Sequence, residues 1–225
     1  MRMTRRQTAA VLLGLTGAIA SGARAGHAQM SASMTKPELL TGKALVTALQ
    51  KGGYVLYMRH PQTDPNQADT DTANLANIKA QRQLTPEGEA QAKAMGKAFA
   101  ALKISFGTVL SSQYHRAAET ARLAGFTGVQ TSLDITEAQN VPPVEAKRRA
   151  AALRKLLATA PAPGTNTLLV AHRPNLQDAA GKEFGDLAEG EVAVFQPQED
   201  QGYKLVARVP TPASWTEWAS QYAGK

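Results

Sequence analysis

The chain has 225 residues, enough for one sizeable α/β domain rather than two. Its formal net charge is +7, but four of the excess positive charges, Arg2, Arg5, Arg6 and Arg24, stand in the first 28 residues without a single acid, leaving +3 for the rest. A nucleic-acid binder concentrates charge in its folded part, so this distribution argues against one; 43 % hydrophobic residues describe a globular chain, and the absence of cysteine excludes disulfides, thiol catalysis and Cys-ligated zinc.

In chain order, residues 1–28 read as an export signal. Arg2, Arg5 and Arg6 form a basic start, residues 9–20 are apolar and uncharged, and Ala23-Arg24-Ala25 offers small residues where a signal peptidase reads. Gly26-His27-Ala28 is a second cleavage point, and Thr4-Arg5-Arg6 is half of a twin-arginine signal, so twin-arginine and general export both stay open. The expected product is periplasmic or secreted, with no stable membrane anchor after cleavage. Residues 29–40 read as a linker, and 41–225 as the folded domain.

Within that domain a helix is expected over 41–51, stopped by Gly52-Gly53, and a strand over 54–58. Residues 62–83 are polar and aperiodic, a length often functional in a loop. Thr85 caps a helix with Met95, Phe99 and Leu102 on one stripe. A strand over 109–111, a helix to about 124 and a short strand over 129–132 follow. Pro142-Pro143 opens a helix, 167–171 is another apolar run, and 192–196 with 203–209 reads as a hairpin. Trp215, Trp218 and Tyr222 suit a closing helix, whose tryptophans are expected in the core. Arg148, Arg149, Arg154 and Lys155 read as a solvated helix face.

Strands alternating with helices predict a layered α/β fold, whose ligands bind beyond the carboxyl ends of the strands. Arg59 and His60 follow the first apolar run, Ser111, Ser112 and Arg116 the second, and His172 the run at 167–171. An arginine fork matches phosphate oxygens and keeps its charge, and a helix starting near Gln113 would add free N–H groups. A neutral histidine in such a pocket can attack phosphorus. Two arginines and a second histidine supply positioning and charge without a metal.

At these positions the sequence resembles the histidine phosphatase superfamily, also called phosphoglycerate mutase-like. Met58-Arg59-His60-Pro61-Gln62-Thr63 is similar to R-H-G-x-T, and Leu84-Thr85-Pro86-Glu87-Gly88 with Gln91-Ala92 to L-T-x-x-G-x-x-Q-A. Ser111-Ser112 through Arg116-Ala117 to Thr120-Ala121 resembles S-S-x-x-x-R-A-x-x-T-A, and Val170-Ala171-His172-Arg173-Pro174-Asn175-Leu176 resembles V-x-H-x-x-N-L. Pro61 replaces the usual Gly, and Arg173 stands where acid-phosphatase and phytase relatives carry an acid, which places the chain in the other branch.

The resemblance implies a three-layer sandwich with a mostly parallel sheet. It implies His60 as the nucleophile that becomes phosphohistidine, and Arg59, Arg116 and His172 as phosphate ligands with Thr63 assisting. Glu137, in Ile135-Thr136-Glu137, is the nearest match to the family's general acid; Glu189, Glu191 and Asp64 are the alternatives. His115 is expected at the pocket rim or surface. The expected activity is hydrolysis of a small phosphomonoester, or of a phosphohistidine protein, with no metal or other cofactor and no nucleic-acid partner. A phosphoglycerate-type mutase and a phosphate-binding protein without turnover are the rival readings.

Overall fold

The computed structural model describes residues 38–200 and 202–224. The expectations for the signal at 1–28 and for 29–37 of the linker lie outside the described residues. Residues 38–40 lead into the first helix, and the Leu40 N–H donates to the Val206 carbonyl at 2.8 Å.

Six strands form one mixed sheet: β1 (Val55–Arg59), β2 (Phe106–Ser112), β3 (Gln130–Ser132), β4 (Asn166–Ala171), β5 (Val192–Pro197) and β6 (Tyr203–Val209). Their order is β3-β2-β4-β1-β5-β6. The four strands from β3 to β1 run parallel, whereas β5 and β6 are antiparallel to their neighbours. The antiparallel edge follows from the short polar turn between β5 and β6, since two strands joined by a tight turn must reverse.

Strand periodicity divides the core into two. Leu56 and Met58 of β1, with Leu168 and Val170 of β4, pack under α1 (Gly42–Lys51), α2 (Pro86–Ala101), α3 (His115–Leu123) and α6 (Pro212–Tyr222). Val55, Tyr57, Leu169 and Ala171, pointing the opposite way, pack against Leu153 and Leu157 of α4 (Pro143–Ala158) and Leu176 of α5 (Arg173–Ala180). Three layers result, as expected. Trp215 of α6 is fully buried, edge-on to Phe99 at 4.8 Å, and Trp218 packs partly buried beside it. Helix α5 has no counterpart in the sequence reading. Among the described residues no helix is long and apolar enough to cross a membrane.

The start of α2 clamps the turn behind β1. The Thr85 N–H donates to the Gln62 carbonyl at 3.1 Å, and Thr85 Oγ1 caps the helix by accepting from the Gly88 N–H at 3.0 Å. Gly88 lies so close that a Cβ there would stand 2.0 Å from the Gln62 oxygen. A side chain at Gly88 is therefore incompatible with this turn, which carries His60 on its other end.

Candidate active site

Sheet register assembles the centre of the site. Arg59 of β1 is paired with Ala171 of β4, so the next residues, His60 and His172, leave the sheet side by side. The His60 N–H donates to the Ala171 carbonyl at 3.1 Å, and the two rings are 5.3 Å apart between centroids. Both are almost wholly buried. Tyr57 fixes the His172 backbone from below, donating its hydroxyl to the His172 carbonyl at 2.7 Å.

His60 Nδ1 lies 2.9 Å from the Pro61 carbonyl, an acceptor only. Nδ1 therefore carries the proton, and the lone pair of the neutral ring sits on Nε2. Burial, followed by the charge of Arg116 and then of Arg59 and Arg82, holds the His60 pKa well below the ordinary value, the Pro61 bond opposing them. The result is a neutral imidazole with a free nucleophilic nitrogen. The proline that departs from the usual glycine still supplies the carbonyl that sets this tautomer.

His172 Nε2 is 2.7 Å from Ser112 Oγ, at the end of the neighbouring strand β2. Ser112 Oγ already accepts from the Tyr114 N–H at 3.1 Å, and its other candidate acceptor, Thr136 Oγ1, is farther off at 3.4 Å. The direction of the Ser112–Nε2 bond follows the ring tautomer: when Ser112 donates, the His172 proton sits on Nδ1. That Nδ1 is buried, has no partner, and lies 3.9 Å from Glu137 Oε2. Burial and the Arg116 charge also push the His172 pKa well down.

A cleft of about 240 Å³ opens on these rings, lined by Arg59, His60, Arg82, Glu137, Gln139, His172, Arg173 and Pro174. Arg59 donates to the Leu187 carbonyl at 2.7 Å and to Glu189 Oε1 at 3.3 Å. Glu137 accepts from Gln139 Nε2 at 2.8 Å and from Arg116 at 3.3 Å. Arg116 is fully buried and lies over the Tyr114 ring, but its outer nitrogens are held by Asp69, at 2.9 Å, and Glu137. It stands behind the cleft wall rather than in it, with its Nε unpartnered. Thr63 does not reach the cleft: its hydroxyl donates to Glu189 Oε1 at 2.7 Å and its N–H to Glu189 Oε2 at 3.2 Å, which places it behind the Arg59 partner.

Of the four candidate acids, Glu137 alone lines the cleft. Glu189 is engaged by Arg59 and Thr63, Glu191 pairs with Arg208, and Asp64 accepts from the Asn66 N–H. A larger hollow of about 450 Å³ shares Glu137 and Gln139 but no histidine, and the arginine lining it, Arg149, is bound to Glu145 and to backbone.

Two further expectations, besides that for Thr63, are corrected. The start of α3 offers fewer free amides than expected, because the N–H groups of Gln113, Tyr114 and His115 are taken by Thr136, Ser112 and Gln81 side chains. Arg149 is not solvated: it is buried, and one of its nitrogens donates to the carbonyls of Thr136 and Glu137, both at 3.2 Å. His115 is half-buried, with its N–H held by Gln81 of the 62–83 excursion.

Asp69 and Arg82 stand out in the sequence only as charges in the 62–83 loop, with no site role, and Gln139 does not stand out at all. The first two lie in the aperiodic excursion, where no pattern marks a direction; only their charge, in a segment of functional length, could have drawn attention.

The model of the histidine phosphatase superfamily (branch 1) matches residues 55–140. No curated protein matches the chain. Among solved structures, the chain is similar to the protein histidine phosphatase SixA complexed with tungstate, at 17 % identity and TM-score 0.51 over 71 % of this chain and 97 % of that one. It is also similar to the product of the open reading frame Rv3214 from Mycobacterium tuberculosis, at 16 % identity and TM-score 0.52 over 71 % and 98 %. A phosphoserine phosphatase mutant from Entamoeba histolytica in complex with phosphoserine gives 14 % identity and TM-score 0.50 over 72 % and 98 %. At these identities the likeness is one of fold.

Proposed function

We propose that this chain, which belongs to the histidine phosphatase superfamily, hydrolyses a phosphomonoester through a phosphohistidine at His60. The observation that carries the reading is the His60 ring itself: buried, neutral, with its proton committed to Pro61 and Nε2 left free, beside two buried nitrogens without partners, Arg116 Nε and His172 Nδ1. Unpaired buried polar atoms are costly unless something completes them, and phosphoryl oxygens fit that role for an N–H.

In the first step His60 Nε2 attacks phosphorus. A P–N bond forms as the ester P–O bond breaks, and the leaving oxygen takes a proton from Glu137. In the second step water attacks the phosphohistidine, gives a proton to Glu137, and the P–N bond breaks to release inorganic phosphate. Arg59, the His172 Nδ1–H and Arg116, which would exchange Asp69 for the substrate, would hold the equatorial oxygens, neutralising charge where it spreads in the transition state. Thr63 acts at one remove, by orienting Glu189 against Arg59.

Rapid quench with ³²P-labelled ester is the test. The label should map to His60, resist base, and be lost with turnover in His60→Ala; a label on Ser111, Ser112 or His172, or turnover retained without His60, overturns the mechanism. Orthovanadate should inhibit, since it takes the five-coordinate form of the transferring group. Export to the periplasm or beyond is a separate part of the proposal, supported by the order of basic, apolar and small residues in 1–28. Native protein that retains Met1 in a cytosolic fraction would refute it.

A further inference from the structure

The cleft holds more positive charge than a phosphoryl group needs. Arg59 is balanced by Glu189, and Arg116 by Asp69 and Glu137. Arg82 and Arg173 line the same cleft, and neither guanidinium has a carboxylate partner or a hydrogen bond among the described residues. They come from separate elements: Arg82 follows the short helical turn at Ile78–Ala80, with its backbone N–H anchored on Asp69 Oδ1 at 2.9 Å, and Arg173 opens α5. Arg82 is half-buried, so its lack of a partner costs more than it would on an open surface; Arg173 is exposed, with its guanidinium open to water. Arg82 also adds to the downward pull on both histidines, which fits a charge facing the ring cluster.

Resting on the phosphatase reading above, we infer that Arg82 and Arg173 form an anion subsite for the alcohol portion of the substrate. The preferred ester then carries a second negative group, a carboxylate or another phosphate, close to the scissile bond. A guanidinium fork matches either group and retains its charge at any working pH. The phosphoryl dianion would seat on the histidines, Arg59 and Arg116, while the second anion completes the two free arginines. A neutral alcohol would leave the half-buried Arg82 uncompensated and Arg173 to water.

The experiment measures binding rather than turnover, so it stands whether or not the chain proves to be a hydrolase. Full-length protein carrying His60→Ala, which would leave esters intact, is titrated calorimetrically with 2-phosphoglycolate and with 2-hydroxyethyl phosphate. These probes differ by a carboxylate against an alcohol. Phosphoglycolate should bind about tenfold tighter or more, the scale expected for added charge-assisted hydrogen bonds. Adding Arg82→Gln and Arg173→Gln should erase that preference while leaving hydroxyethyl phosphate affinity within about twofold. Arg82 and Arg173 have no partners to strand, so circular dichroism should show the fold unchanged. Equal affinity for the two esters, or an equal loss for both in the double variant, would show that these arginines serve the phosphoryl group itself and would overturn the inference. Failure of the hydrolase reading would instead appear as absent His60 labelling, with binding preference unaffected.

Discussion

Two consecutive arginines on α4 show how much depends on where a guanidinium points. Arg148 is exposed and pairs with Glu145 and Asp134 at the surface. Arg149 turns inward and donates to the carbonyls of Thr136 and Glu137, fixing the backbone that presents the proposed acid. Arg149→Ala should cost about 1–3 kcal/mol of stability, from the carbonyls it strands. It should also lower kcat/KM by roughly tenfold or more, because small displacements of a positioned group are expensive. Arg148→Ala should leave turnover unchanged. Ester hydrolysis and urea unfolding of the two variants check this, and equal losses would mean that Glu137 is not held from behind.

At the scale of elements, the start of α2 and the turn after β1 act as one unit. Gly88→Ala would drive a Cβ into the Gln62 carbonyl, so backbone must move, at a cost of about 1–3 kcal/mol. Because that turn ends at His60, activity should fall further than stability alone explains; unfolding midpoints compared with kcat/KM under fully folded conditions measure the difference. Much of this architecture was legible in the sequence. His60, Arg116 and His172 announced themselves because each follows an apolar run, and the sheet register then brings the two histidines together. Arg149 was misread because helical spacing tells which residues share a face but not what covers it. Helix α5 escaped because eight residues opening on Arg-Pro-Asn carry too little periodicity to signal a helix. The amides at α3 were expected to be free because nothing local shows that Gln81, far away in sequence, returns to fill one of them.

For the molecule as a whole, two buried histidines set a pH limit. Both have folded-state pKa values well below 6.5, chiefly through burial. The unfolded chain therefore binds more protons than the folded one below about pH 6.5, and stability must decline as pH falls through that region. Above it both states hold neutral rings and the effect vanishes. Urea midpoints should drop between pH 7.5 and 5.5, and the drop should shrink in His172→Asn, which removes one of the two groups. Activity should persist below pH 6.5 for the same reason, since His60 stays unprotonated there while the protein remains folded. A midpoint indifferent to pH in this window would contradict the burial of both rings.

The carboxylate of Asp69 on Arg116 has a consequence for turnover. An arginine left wholly free would grip departing inorganic phosphate as firmly as the arriving ester, and release would limit the cycle. On the proposed mechanism the chain would carry its own competitor: Asp69, 2.9 Å from Arg116, would be at hand to take the vacated nitrogen whenever phosphate let go. The net hold on phosphate would then be the difference between two similar contacts rather than the whole of one. Asp69→Asn should therefore show stronger inhibition by inorganic phosphate together with a lower kcat, as product lingers on an arginine whose remaining carboxylate partner is Glu137.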